Sequence, residues 1–149
     1  MMISTKGRYA LRIMVDLAQH KEEGFISLKI ISERQEISLK YLEAIIGILN
    51  RANFVKSMRG KSGGYKLQRE SKEYNIGSIL RLTEGGLVPV NCSNCTPEHS
   101  CARGDECLSY PLWENLDRLV NDYLDSVSLE DIVEGRLVDK DIVIKFVDR

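Results

Sequence analysis

The residues of this chain that could do chemistry are four cysteines in one short segment, at positions 92, 95, 101 and 107, and the sequence contains no other cysteine. Their spacing is Cys-x2-Cys-x5-Cys-x5-Cys, in a stretch punctuated by Gly, Asp and Asn. Thiolates spaced along a loop can ligate an iron-sulfur cluster or a zinc ion, and in an oxidising compartment they can pair as two disulfides. The rest of the sequence must distinguish these possibilities.

The N-terminal residues favour a metal or cluster site over disulfides. The segment Met1–Arg8 lacks the basic, apolar and small-residue regions of a signal peptide, and no apolar run approaches the roughly 18 residues that a membrane span needs. We therefore expect a cytoplasmic protein that does not associate with membranes. Because disulfides rarely persist in a reducing cytosol, the cysteines are expected to serve metal or redox chemistry.

Charge is distributed unevenly along the chain. Residues 1–72 contain fourteen Lys and Arg against seven Asp and Glu, whereas residues 73–149 contain seven against fifteen. The two halves therefore carry net charges of +7 and −8, although the whole chain carries only −1. A basic half is suited to a polyanion such as DNA, and the acidic half would be repelled by phosphates.

The basic half begins with the pattern of a helix-turn-helix. Apolar residues recur at helical spacing from Ser4 to about Gln19, and Ser27 and Ser38 are suitable N-caps for two further helices, the second of which extends to about Arg51. Two short helices separated by three or four residues, the second of them amphipathic, are typical of this motif. The stripe of the second helix that we predict to be buried comprises Leu39, Leu42, Ile45, Ile46 and Leu49.

Two predicted strands, Phe54–Met58 and Tyr65–Leu67, follow the helix-turn-helix. They are joined by the basic, glycine-rich sequence Arg-Gly-Lys-Ser-Gly-Gly at positions 59–64. A helix-turn-helix followed by such a hairpin describes a winged helix, in which the hairpin tip reaches phosphates or the minor groove. The predicted fold class is therefore mainly α with a small β-hairpin wing.

The acidic half is predicted to contain a short helix at residues 75–84, stopped by Gly85, and a longer helix from Pro111 to about Ser126. The helix that begins at Pro111 has a long apolar face, and this face needs a partner. It could pack on its own domain, but a DNA-reading homodimer would supply the two-fold symmetry of a palindromic operator. The apolar residues of this face are Leu112, Leu116, Leu119, Tyr123 and Val127, widened by Trp113, Val120 and Leu124.

These elements divide the chain into four parts. We expect a winged helix-turn-helix DNA-binding domain at 1–84, a cysteine-rich loop at 85–110, and a dimerisation helix with a short C-terminal helix at 111–135. A capping box that begins at Ser128 predicts the short helix. The tail at 136–149 is rich in residues that favour strands, but its pairing is not predicted.

Four segments together resemble the Rrf2 family of small dimeric winged-helix regulators, and within it the iron-sulfur cluster regulators. They are Thr5–Ala10, Ile31–Glu43, Arg59–Tyr65 and Cys95–Trp113. The resemblance runs over most of the chain and implies a DNA-binding dimer that holds an iron-sulfur cluster. It also implies that Cys95, Cys101 and Cys107 are cluster ligands, because their six-residue steps match the family's three-cysteine pattern.

The fourth ligand is where this sequence departs from the family. The iron-sulfur regulators have a histidine three residues after the last cysteine, and this chain has Tyr110 there. Cys92 is the first substitute and would complete an all-cysteine site, and His99 is the second. The third is an imidazole or carboxylate supplied from elsewhere. Some relatives resemble this case by using an acidic residue of the partner's first helix, where this chain has Arg8.

The expected cofactor is an iron-sulfur cluster, with 2Fe-2S preferred to 4Fe-4S. Zinc is the alternative, since four thiolates satisfy it chemically. Structural zinc sites usually take paired Cys-x2-Cys knuckles, however, and only Cys92 and Cys95 have that spacing.

The predicted DNA-binding residues come from the N-terminal end of the recognition helix, the start of the first helix and the wing. Glu43 could accept a hydrogen bond from a cytosine amino group, and Arg59 is a candidate for insertion into the minor groove. Tyr41 could instead pack within the protein. The full set is Lys6, Arg8, Ser38, Lys40, Tyr41, Glu43, Lys56, Arg59, Gly60, Lys61, Ser62, Gly63 and Gly64.

The sequence thus predicts a dimeric transcriptional regulator whose DNA binding is controlled by a cluster that reports cluster supply, redox state or nitric oxide. One alternative is a cluster-free regulator of cysteine or sulfur metabolism with the same fold, and another is a zinc-bound structural variant. A small electron carrier would have no use for a basic half with a wing. The two histidines, His20 and His99, lie in separate polar surroundings, and no catalytic constellation accompanies them.

Overall fold

The computed structural model of the protein describes residues 2–90 and 106–139. Its elements confirm the predicted fold class, since the part described is mainly helical and contains a single two-stranded antiparallel sheet. The order along the chain is α1 (Thr5–Gln19), α2 (Leu28–Gln35), α3 (Leu39–Arg51), β1 (Val55–Met58), β2 (Gly64–Leu67), α4 (Ile76–Glu84), α5 (Tyr110–Ser126) and α6 (Leu129–Val133). Short 3₁₀ turns at Lys21–Glu23, Ser71–Glu73 and Arg136–Asp139 complete it.

Polar N-caps determine where four of the helices begin. The side chains of Ser4, Ser27 and Ser38 accept hydrogen bonds from the backbone N–H three residues later, and Asn75 does the same at the start of α4. Each satisfies an amide that the first helical turn leaves without a partner. The capping box at Ser128 is also confirmed, because its side chain and that of Asp131 bond each other's backbone N–H.

The described helices share one hydrophobic core. The buried stripes of α1 and α3 meet there, and Val127 and Leu129 from the C-terminal region are buried in the same cluster. The winged domain and α6 therefore fold on each other. The expected burial of Leu39 was wrong, since its side chain is 44% exposed. Leu39 is the first residue of α3, one turn before the helix reaches the core at Leu42.

Tyr74 fastens the base of the wing to this core. Its side chain is only 1% exposed, and its hydroxyl donates to the carbonyl of Phe54 at 2.7 Å. The same oxygen accepts from the backbone N–H groups of Gln68 and Arg69 at 3.1 and 2.9 Å. One buried hydroxyl thus satisfies three backbone groups at the two ends of the hairpin, which is the condition for burying such groups at little cost.

The wing is held in register by its sheet and by a contact with the segment before α2. Val55 pairs with Leu67 and Met58 with Gly64, while Tyr65 exchanges backbone hydrogen bonds with Ile26. This close approach needs glycine at position 64, because a Cβ there would collide with the carbonyl of Ile26. The hairpin is therefore attached at its base, and residues 56–62 are exposed.

The C-terminal region contains the buried residues Val127 and Leu129, and a helix, α5, that packs against α4 but keeps an exposed apolar face among the described residues. α5 buries no side chain completely, and Leu112, Leu116, Leu119 and Tyr123 are 37–60% exposed. The Arg136 guanidinium pairs with carboxylates of α6 and the following turn, and its hydrogen bond to Glu130 raises the pKa of Arg136 above its ordinary value. Within residues 2–90 and 106–139, no helix combines the length and apolarity required to cross a membrane.

Candidate nucleic-acid interface and cysteine segment

The N-terminal end of α3 is the most exposed part of the helix-turn-helix. Five of its first residues face solvent, whereas the following turns bury Leu42, Ile45, Ile46 and Leu49. A helix that buries its second half and exposes its first turn can insert that turn into a DNA groove. The exposed residues are Ser38, Leu39, Lys40, Tyr41 and Glu43.

Tyr41 does not project freely from this end, because α1 supports it. The ring of Tyr9 meets the ring of Tyr41 edge-on, with centroids 5.6 Å apart. The guanidinium of Arg12 lies 5.4 Å from the centroid of the Tyr9 ring. Arg12 also donates to the side-chain and backbone oxygens of Gln35, at the C-terminal end of α2. Tyr41 therefore packs against α1, as the alternative considered from the sequence has it, and remains 37% exposed.

A buried carboxylate fixes the turn between α2 and α3. Asp16 of α1 is completely buried and accepts hydrogen bonds from Gln35 at 2.8 Å and from Arg34 at 3.3 Å. Arg34 also pairs with Glu23 at 2.6 Å, and the ring nitrogen Nδ1 of His20 lies 3.7 Å from Asp16. A charge buried this deeply is tolerated only when it is paired and hydrogen-bonded. The network thus holds the end of α2, and with it the start of α3, against α1.

The start of α1 presents further positive charge beside the helix-turn-helix. Arg8 is exposed and Lys6 is half-buried, and Arg8 bonds the side chain of Thr5 at 3.2 Å. The N-cap Ser4 donates to Glu84 at the end of α4, with an oxygen-oxygen distance of 2.7 Å. Gly7 is buried beneath this contact, and a Cβ there would displace the Glu84 carboxylate.

The wing carries the densest positive charge. Lys56 and Lys66 are directly opposite each other on the ladder, and neither forms an ion pair among the residues described. Like charges directly opposite each other destabilise a sheet, and here the Lys66 ammonium also lies over the Phe25 ring, 4.6 Å from its centroid. At the tip, Arg59, Lys61 and Ser62 are exposed. Gly60 has a φ of +112°, and the N–H of Gly63 closes the turn on its carbonyl at 3.0 Å.

Cys107 is the only cysteine within the described residues. It is half-buried, three residues before α5 begins, and its sulfur lies 3.3 Å from the hydroxyl of Ser109. Its carbonyl accepts from the N–H of Tyr110, the first residue of α5, at 3.1 Å. Cys92, Cys95, Cys101 and His99 lie outside the described residues, so the predicted ligand set remains a prediction. No group of three or more metal-ligating side chains occurs in the part described.

Comparison with known proteins identifies the fold's relatives. Residues 3–135 match the family Rrf2, described as an iron-dependent transcriptional regulator. The chain belongs to the Rrf2 family. It is a transcriptional regulator and not an enzyme, and its helix-turn-helix and wing are those of a DNA-binding protein.

Individual Rrf2 proteins are similar over almost the whole chain. The regulator IscR of Pectobacterium atrosepticum is 37% identical over 138 residues, which cover 93% of this chain and 82% of that protein. The solved structure of IscR from T. potens has a TM-score of 0.73 and 36% identity, covering 95% of this chain and 92% of the other. CymR, the global cysteine regulator of B. subtilis, has a TM-score of 0.74 and 38% identity, covering 91% and 98%.

The structure of this Rrf2 protein brings most of the predicted DNA-binding residues to the surface. Those from the start of α3 are exposed together, and those from the wing lie on one exposed connection apart from half-buried Gly63 and Gly64. These two glycines serve close backbone packing at the wing. The contacts of all these residues with DNA remain predictions.

Three residues that support or adjoin this candidate interface were not predicted from the sequence. Arg12 and Tyr9 support the recognition helix from α1, and Lys66 doubles the charge of Lys56. The alternation of the second strand could have indicated Lys66, since residues opposite each other share a face. No sequence pattern indicates Arg12, because its partner Gln35 is 23 residues away in the chain.

Proposed function

We propose that this chain is a homodimeric Rrf2 regulator whose binding to palindromic DNA is controlled by an iron-sulfur cluster ligated by Cys95, Cys101 and Cys107, with Cys92 as the fourth ligand. The observation that carries the proposal is the position of Cys107. It lies three residues before α5, the helix whose apolar face is exposed within the described residues. A cluster ligand at position 107 is therefore separated by only two residues from the predicted dimer helix.

DNA recognition in this proposal begins with the exposed end of α3. Lys40 and Ser38 bind phosphates or base edges in the major groove, and Glu43 accepts from a cytosine amino group. Arg59 enters the adjacent minor groove from the wing tip, while Lys56 and Lys61 contact the backbone. Because these contacts neutralise phosphates, affinity should decrease by roughly a thousandfold between 50 and 200 mM salt if six phosphates are bound.

Dimerisation in this proposal uses the exposed face of α5. Leu112, Leu116 and Leu119 recur at four- and three-residue spacing on one side of the helix, and each exposes at least 38% of its side chain. Two such helices packed antiparallel or parallel would bury these leucines against each other. The pair of winged domains would then meet two half-sites about one helical turn of DNA apart.

The donor set of the cysteine segment fits an iron-sulfur cluster. Four thiolates are the ligands that such clusters prefer, and the hydroxyl of Ser109 is close enough to donate a hydrogen bond to the Cys107 sulfur. When bound, the cluster would supply a redox-sensitive and oxidant-sensitive group. The protein's contribution is to connect the cysteine segment to α4 at one end and α5 at the other.

A cluster-free regulator is the second candidate, and the similarity to CymR favours it. This chain is as similar in fold to that cysteine regulator as to IscR of T. potens. In that case the cysteines would serve thiol chemistry or bind zinc, and a metabolic or protein signal would control DNA binding.

The test compares DNA binding with and without the cluster under anaerobic conditions. Duplexes selected from a randomised pool would be titrated with reconstituted protein, apo-protein and the Cys101→Ala variant. The proposal expects the loaded wild type to differ from both others in affinity or in the sequences selected. Equal affinity and identical selected sequences for all three would exclude cluster control, and the second candidate would then be preferred.

A further inference from the structure

The end of α4, the start of the cysteine segment and the middle of α5 are joined by one side chain, Asn121. Its amide oxygen accepts from Nη1 of Arg81 on α4 at 2.7 Å. Its amide nitrogen donates to the backbone carbonyl of Leu87 at 3.3 Å and to that of Asp117, one turn earlier on α5, at 2.9 Å. Three segments of the chain therefore depend on one amide.

Chemistry fixes the orientation of this amide. The guanidinium of Arg81 can only donate, so the oxygen of Asn121 must face it, and the carbonyl of Leu87 can only accept, so the nitrogen must face that side. The amide of Asn121 thus supplies an acceptor on one side and a donor on the other. A carboxylate at position 121 would keep the first interaction and lose the second.

Two further observations indicate that the junction is built tightly. Arg81 also pairs with Asp125 of α5 through its other nitrogen Nη2. Gly77, one turn earlier on α4, is buried beneath this pair, so a side chain there would displace the Asp125 carboxylate and the end of Arg81. Leu87 itself is only 3% exposed and belongs to the hydrophobic core. The Leu87 carbonyl that accepts from Asn121 therefore belongs to a residue whose side chain is itself held in the core.

The junction continues toward the DNA-binding surface through α4. Arg81 lies one turn before Glu84, whose carboxylate accepts from Ser4, the N-cap of α1, at 2.7 Å. The first turn of α1 carries Lys6 and Arg8, two of the predicted phosphate contacts. A shift of α4 relative to α5 would therefore displace a charged end of α1.

We propose that Asn121 and Arg81 are positioning residues that couple the cysteine segment to the DNA-binding surface. The inference rests on the proposed function, because it names the contact through which cluster status would reach the winged domain. At one end of the segment Leu87 is held by Asn121, and at the other Tyr110 begins the same helix, about 16 Å away along its axis. Any change in the distance between Leu87 and Tyr110 would therefore act on α5 and, through Arg81, on α4.

The experiment measures the ratio of DNA affinities for loaded and apo-protein in wild type and in Asn121→Asp. The variant keeps the partner of Arg81 but turns a carboxylate oxygen toward the Leu87 carbonyl and toward the carbonyl and carboxylate of Asp117, so the hydrogen bond to the segment is lost together with those to Asp117. We expect equal iron content and a loaded-to-apo ratio within about twofold of one, against a wild-type ratio of roughly fivefold or more in either direction. Asn115→Asp is the matched control, since Asn115 is exposed on the same helix and, among the described residues, its side chain hydrogen-bonds only Arg118.

A second variant tests the other half of the junction. Arg81→Gln leaves the contact of Asn121 with Leu87 and removes the ion pair with Asp125, so it should also bring the ratio toward one. Amide hydrogen exchange provides a readout without DNA: loading should change protection in α4 of wild type and leave α4 unchanged in both variants. Urea unfolding of the apo-proteins shows whether a variant is simply less stable, which would alter both affinities together.

The outcomes separate this inference from the proposed function. A wild-type ratio of one would exclude cluster control itself, on wild-type data alone. A wild-type ratio that differs from one and is retained by Asn121→Asp or by Arg81→Gln would overturn the coupling role and leave cluster control intact. Loss of iron from Asn121→Asp would also overturn it, because the residue would then hold the cluster in place.

Discussion

α4 and α5 lie against each other, yet they relate to the rest of the chain in opposite ways. α4 has nine residues and buries five of them, whereas α5 has seventeen and buries none. Both helices are amphipathic, so the pattern of apolar residues does not explain the difference. The apolar face of α4 is covered by α1 and the core, while the leucines of α5 stay partly exposed within the described chain. α4 is therefore a helix of the domain, and the exposed face of α5 is the one that we propose to pair with a second copy.

The largest expected effect comes from placing a charge on the exposed face of α5. Leu119→Asp would remove two leucines from a dimer interface, each worth about 1.5–3 kcal/mol when buried, and would bury two carboxylates. We expect the dimer dissociation constant to increase on the order of a thousandfold. Analytical ultracentrifugation would detect the monomer, and circular dichroism would show retained helices.

Leu137→Asp is the control for this prediction, because Leu137 has the same 39% exposure but lies after α6. A variant of Leu119 that remains a dimer at micromolar concentration would contradict the assignment of α5 as the interface. The difference in exposure between α4 and α5 would then not be explained by dimerisation.

Inside the winged domain, the Asp16 network should determine the stability of the helix-turn-helix. Asp16→Ala removes the acceptor of Arg34 and Gln35 and leaves Arg34 only the exposed carboxylate of Glu23. We expect a loss of about 3 kcal/mol in the free energy of unfolding, measured with urea. Asp122→Ala, on the exposed side of α5, should change stability by less than about 0.5 kcal/mol. Equal losses for the two variants would argue against the network.

The base of the wing should be more tolerant. Tyr74→Phe keeps the buried ring and removes the hydroxyl that serves Phe54, Gln68 and Arg69. Because these backbone groups lose a buried partner, we expect a loss of about 1–3 kcal/mol. Tyr123→Phe removes a hydroxyl from a ring that is 37% exposed and should be nearly neutral. Thermal unfolding of both variants distinguishes a buried hydroxyl from an exposed one, and a neutral Tyr74→Phe would refute its role.

The smallest effect belongs to a single charge of the wing. Lys61→Ala should weaken binding to all DNA sequences similarly and reduce the slope of log affinity against log salt by about 0.9 for each phosphate that the variant no longer neutralises. Lys72→Ala, an exposed lysine of the turn before α4, should leave the slope unchanged. An unchanged slope for Lys61→Ala would place that side chain outside the DNA interface.

The sequence predicted the elements that depend on local signals. The serine caps, the wing and the start of α5 near Pro111 are encoded within a few residues of where they act, and the structure confirms them. Leu39 was placed wrongly because helical spacing does not reveal which turn first reaches the core. The polar contacts of Asp16, Arg12 and Asn121 could not be predicted, since each joins residues that are 18 to 40 positions apart.

The cysteine segment differs from the winged domain in what can be concluded from each. For the winged domain, family membership and the described contacts agree on a DNA-binding surface. For the cysteines, the support is their spacing, the position of Cys107 before α5 and the similarity to IscR. The proposed function therefore depends on which cluster or metal ion these four thiolates bind.

The most direct measurement is the metal content of protein purified without oxygen. Iron, acid-labile sulfide and zinc would be measured per chain together with the visible absorption spectrum, with Cys101→Ala as the control. We predict iron with matching sulfide and a broad visible absorption band in the wild-type protein, and none of these in the variant. Zinc or no metal in the wild-type protein would contradict it and leave a winged-helix regulator whose cysteines serve structure or thiol chemistry.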